Sequence, residues 1–215
     1  MISTRDLSEL PSIAGLRRLT RALAMLDAIL SPEWQDRYYS FNSAWSETEM
    51  MASMRNGCGD CWFAVFSHAG VALHGLAHDA PAFRPGQPWQ GIFENLPTPF
   101  HANLLHEPAF TTSDSTFCIW RLADDNHWSC GPVELPSGSD PDGSEEFLGI
   151  LDGRPERYQE FAAWYYEREL LLDDVRAVYE HQRLDTALVA RLNSDVNLDA
   201  LASDIAQIGY PDGAG

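Results

Sequence analysis

Residues 38–78, YYSFNSAWSETEMMASMRNGCGDCWFAVFSHAGVALHGLAH, constrain the fold of this chain more than any other stretch. Its second half holds two runs rich in aromatic and β-branched residues, 61–67 and 71–77, separated by His68, Ala69 and Gly70. Short apolar runs broken by a glycine-containing turn are the signature of a hairpin. A second pair follows at 116–122 and 127–133, turning through 123–126. Hairpins that succeed one another pair antiparallel, whereas a doubly wound sheet needs a helix after each strand. The chain therefore reads as α+β, with an antiparallel β-sheet of roughly four to six strands. That sheet is built from hairpins within residues 36–133 and covered by an N-terminal helix and a C-terminal helical block over 142–209. Residues 1–215 are expected to form a single domain, and 45% hydrophobic residues suffice for its core.

The N-terminal helix is written in Ile13, Leu16, Leu19, Leu23, Leu26 and Leu30, which recur every three or four positions behind Ser12 as N-cap. Pro32 follows its end. Residues 37–45 alternate and are read as extended. Ser46-x-x-Glu49 has the form of a capping box and predicts a helix through Arg55, closed by Gly57. The proline-rich stretch 79–90, DAPAFRPGQPWQ, is a loop, and 91–96 and 99–106 are short helical pieces. LPSGSDPDG at 135–143 is a polar linker. Beyond it, Asp142 with Glu145 predicts a capped helix to about residue 151. Pro155 opens a helical run to about residue 181, whole or broken near Leu172, and Asp185 and Asn197 cap two more helices.

Charge decides which partners to consider. The 32 acidic residues outnumber 14 basic ones, for a formal net charge of −18. Binding phosphate requires Lys or Arg to displace counterions, so nucleic acid and anionic membrane surfaces are excluded as partners. A basic protein is the class such a surface favours, and a homo-oligomer is left open. The chain has no signal-peptide pattern and no apolar run of roughly 18 residues, so a cytoplasmic protein with reduced thiols is expected.

Few residues suggest chemistry. Cys58-Gly-Asp-Cys61 is a CxxC, but a redox CxxC opens a helix whose N-terminus lowers the thiol pKa, whereas this one precedes a strand. Cys118 and Cys130 lie almost symmetrically about the second hairpin turn. Neighbouring hairpins would let Cys58, Cys61, Cys118 and Cys130 form a tetrahedral zinc site, with His78 as a substitute ligand. The competing reading is four small buried hydrophobes. His74 and His78 share a strand face and Asp79 follows, a set suited to acid–base work. Histidines on a half-exposed strand also occur with no role. Neither a phosphate loop nor G-x-S-x-G is present, and no cofactor other than zinc is implied. The aromatic run Tyr158, Phe161, Trp164, Tyr165 and Tyr166 suits either core packing or a partner surface.

YYSFNSAW, EMMASMRNG and DPDGSEEF resemble stretches of uncharacterised bacterial proteins of similar length. The resemblance implies a single-domain α+β bacterial protein and carries no activity. In general character the chain is also similar to small acidic immunity proteins encoded beside toxins. The functional expectation is an acidic, non-enzymatic binding protein for a basic partner, immunity-like in kind. The alternatives are a structural zinc protein and an enzyme at the His74/His78 hairpin.

Overall fold

A computed structural model describes residues 1–211 and has the α+β architecture expected: one antiparallel meander of six strands, each bonded to the next in sequence. The strands are β1 (Tyr39–Asn42), β2 (Met50–Arg55), β3 (Cys61–Ser67), β4 (Gly70–Leu76), β5 (Phe117–Leu122) and the short β6 (Ser129–Cys130). Both faces of the sheet are covered, which is why FAVF and VAL read as continuous apolar runs rather than as alternation. One face sends Phe41, Met54, Trp62, Phe66, Leu73 and Ile119 into the main core. The other sends Val65, Ala72, Cys118 and Trp120 onto a smaller cluster with Phe100, Leu104 and Phe110 from the irregular segment before β5. Gly75 has no side chain for a reason: an added Cβ would sit 2.1 Å from the Phe117 ring across the strand pair.

Helix α1 (Ile13–Leu30) crosses the main-core face with Ser12 Oγ accepting from Gly15 N at 3.2 Å, the N-cap its sequence predicts. It is buried nearly all round, because α4 (Leu172–Tyr179), α5 (Thr186–Leu192) and α6 (Ala202–Ile208) close over its other side. Each Leu so buried contributes about 1.5–3 kcal/mol. Asp185 and Asn197 cap as expected, accepting from Leu188 N at 2.7 Å and Ala200 N at 2.9 Å.

Residues 46–55 do not form the helix that Ser46-x-x-Glu49 predicts. Ser46 and Glu49 do meet, with Ser46 N donating to Glu49 O at 3.2 Å, but they close the β1–β2 turn. The Met, Ala and Arg residues of β2 favour a helix in isolation, yet every residue from Met50 to Arg55 is paired with β3. Sheet pairing outweighs that local preference and places Ala52 and Met54 in the main core. Residues 91–96 form turns instead of a helical piece. The long C-terminal run is broken into α3 (Pro155–Tyr165) and α4. Helix α2 (Ser144–Leu148) is capped by Asp140, which accepts from Glu145 N at 3.1 Å and Glu146 N at 2.9 Å. Asp142, the expected cap, turns inward to Ser144 and Thr4.

A buried carboxylate fixes α3. Asp27 of α1 is fully buried and accepts from Tyr39 N at 2.6 Å, Tyr158 Oη at 2.6 Å and Tyr166 Oη at 2.8 Å. One side chain thereby joins α1, β1 and both ends of α3, and leaves the opposite side of α3 facing outward.

Candidate functional site

That outward side of α3, with α2 and the β2–β3 loop, encloses a cleft of about 750 Å³. Glu160 and Trp164 lie four residues apart on α3, as do Phe161 and Tyr165, so each pair shares a helix row. Phe161 and Tyr165 stack at 5.3 Å, and Tyr38 packs against both at 4.8 and 4.9 Å. Trp164 touches this packing only at its edge, its ring tilted 6.0 Å from that of Tyr165, and is 74% exposed. An indole left in water on the wall of a cleft is the kind of surface that marks a binding site.

Four carboxylates share the wall: Glu145 and Glu146 from the first turn of α2, Asp140 before it, and Glu160. Beside them lie the uncharged Asn56, Cys58, Gly149 and Ile150 and the N-terminal Met1, whose ammonium is paired with Glu9 at 3.5 Å. Arg157 is the one arginine of the lining, and its guanidinium is held by Asp152 at 2.5 Å. Burial raises the pKa of Glu146, and repulsion from Asp60, Asp140 and Asp79 raises it further. Asp140 is raised as well, mainly by burial, against the two backbone N–H groups that favour its charged form. An incoming cation would relieve this repulsion.

Asp140 and Glu146 also border a smaller hollow of about 180 Å³ with Asp60 and Asp79. His78 is not part of the lining of this hollow but binds Asp60, its Nδ1 2.6 Å and its backbone N 2.7 Å from Asp60 Oδ1. Asn56 orients Asp60 through a 2.6 Å bond, and its own Oδ1 accepts from Cys58 N and Asp60 N. The pKa of His78 is raised, chiefly by the hydrogen bond to Asp60. The Asp79 carboxylate is almost wholly in water, 3.4 Å from His78 Nε2.

His74 is not part of this constellation. It is fully buried in the second core, with Nδ1 2.9 Å from Ser115 Oγ and its ring stacked on Phe63 at 5.8 Å. Burial pushes its pKa down to about 3, so it stays neutral. His78 lies beyond the end of β4 and turns to Asp60, so the strand face that the spacing predicts does not unite the two histidines.

The four cysteines are not brought together either. Cys118 pairs with His74 on β4, and β4 separates it from Cys61 on β3. Cys130 is opposite Ile119, the neighbour of Cys118, and so projects from the other face of the sheet. Cys58 is exposed in the β2–β3 loop. Burial pushes the Cys61 thiol up to about 11 and raises those of Cys118 and Cys130, which disfavours the thiolate that metal binding or redox chemistry needs. Among the described residues no group of three or more His, Cys, Asp or Glu side chains is placed to hold a metal ion. Likewise, no helix among them is long and apolar enough to cross a membrane.

Of the aromatic run of α3, Tyr158 is core, Phe161 and Tyr166 pack against the core, and Phe161, Trp164 and Tyr165 line the cleft. Of the acidic half of the cleft, Asp140, Glu145 and Glu146 are sequence neighbours around the start of α2, and only their meeting with Glu160 of α3 is a product of the fold. No protein-family model, curated protein or solved structure matches this chain, so every functional statement rests on its own residues.

Proposed function

We propose that this chain is a non-enzymatic binding protein that takes a basic segment of another protein into the cleft between α2 and α3. The observation that carries this reading is the exposed Trp164 ring set among Asp140, Glu145, Glu146 and Glu160 in a molecule of net charge −18. Arg side chains can stack on such a ring and fork onto the neighbouring carboxylates, and the summed negative field would speed their approach. Neutralisation of a basic toxin in the cytoplasm is the form of this function that the acidic, aromatic character suits. The test is capture of a purified basic protein by the wild-type chain and by Trp164→Ala and Glu160→Gln variants. Binding that weakens with salt and is lost in both variants supports the reading; capture that both variants retain refutes it.

A second reading has one specific observation behind it. The Asp60–His78 pair at 2.6 Å, of which Asp60 lines a polar hollow, resembles an oriented general base. It predicts a hydrolytic or proton-transfer activity that His78→Ala abolishes without loss of fold. An unchanged activity in that variant would eliminate it.

A further inference from the structure

Across Tyr165 from the cleft lies another hollow, of about 300 Å³, lined by Arg55, Arg37, Asp36 and Gly57. Tyr165 borders both spaces. The two arginines of this hollow are in different states. Arg37 is buried and fully engaged: Nη1 donates to Asp204 at 2.6 Å, Nε to Ser31 O at 2.8 Å and Nη2 to Pro32 O at 2.7 Å. The Arg55 guanidinium makes no hydrogen bond or ion pair among the described residues, and its Nη2 is closed to solvent with no partner. It is held by stacking alone, 4.2 Å over the ring of Trp34, which is itself 50% exposed.

In a chain with 32 acidic residues, an arginine without a carboxylate is a vacancy for one from outside. A guanidinium held against an indole and bound to no carboxylate of its own can take one from outside bidentately. Because Nη2 is covered, a bidentate contact requires a local shift, for which the half-exposed Trp34 ring is the candidate. We propose that Arg55, on its Trp34 platform, is a carboxylate subsite continuous with the acidic cleft. The basic segment bound there then carries a carboxylate just past its cations, either its own C-terminus or an Asp or Glu side chain. This inference rests on the cleft being a site for a basic segment. Asp36, exposed at the rim of the hollow, is the internal competitor for the same guanidinium.

The experiment is a calorimetric titration with one short Arg-rich peptide in three forms: a free C-terminal acid, its C-terminal amide, and an amide ending in Glu. At least one carboxylate form should bind about tenfold more tightly than the plain amide, the scale of one charge-assisted hydrogen-bonded pair. Preference for the free acid identifies a C-terminus, and preference for the Glu peptide an internal side chain. In Arg55→Gln that advantage should vanish while the affinity of the amide is unchanged, which also shows that the variant is folded. Equal binding of all three forms, or an advantage that survives Arg55→Gln, overturns the subsite and leaves the cleft standing. An advantage seen only in Asp36→Asn assigns Arg55 to Asp36 and also overturns it. Failure of all three forms to bind overturns the cleft reading itself.

Discussion

The carboxyl of Asp27 has no solvent around it and three hydrogen-bond donors aimed at it. Burial nonetheless dominates and raises its pKa to about 6, above the ordinary carboxylate value of about 3.9. A carboxyl with a raised folded pKa contributes stability that is present below its unfolded pKa and lost as pH rises through its folded one. The margin by which wild type exceeds Asp27→Asn in urea unfolding should therefore widen as pH falls from 7 to 5. A constant margin would mean that Asp27 is ionised throughout that range. His78 has the same sign, since its bond to Asp60 raises its pKa. Its imidazole resonances should titrate above the ordinary 6.5, and Asp60→Asn should bring the midpoint down. A midpoint unmoved by that substitution would remove Asp60 as the cause. The role of Asp27 is not legible locally, because it finds Tyr158 and Tyr166 more than 130 positions away, and His78, though singled out in the sequence, pairs with Asp60 rather than with His74.

At the level of elements, the two hairpins and α1 are legible because their signals are local: apolar runs around a turn, and leucines every three or four residues behind a serine. Strand β2 is not. Its residues favour a helix, and only the flanking strands β1 and β3 decide otherwise. The same pairing explains why the centre of the sheet tolerates little change. Gly75→Ala would drive a Cβ into the Phe117 ring and should cost about 1–3 kcal/mol of unfolding free energy. Met54→Ala, at a fully buried site of β2, should cost about 2–5 kcal/mol. A solvent-exposed Met54 would leave Met54→Ala near neutral; chemical denaturation distinguishes the two.

The whole molecule combines an acidic surface with a cleft in which aromatic and acidic side chains meet from three separate segments: residues 38–39, residues 140–146 and α3. Composition announces the charge, and the spacing on α3 places Glu160 beside Trp164, but convergence of these segments is a property of the assembled fold. Helix α3 is oriented by Asp27, so substitutions there should weaken binding without touching the cleft. The most direct measurement is the affinity of an Arg-rich peptide amide for the wild-type chain and for Trp164→Ala and Glu146→Gln, each at low and at high salt. The cleft predicts an affinity that falls with salt and drops roughly tenfold in Trp164→Ala, as a lost stacking and cation–π contact would cause. An affinity indifferent to salt and to both substitutions would contradict the assignment of this cleft to a basic partner.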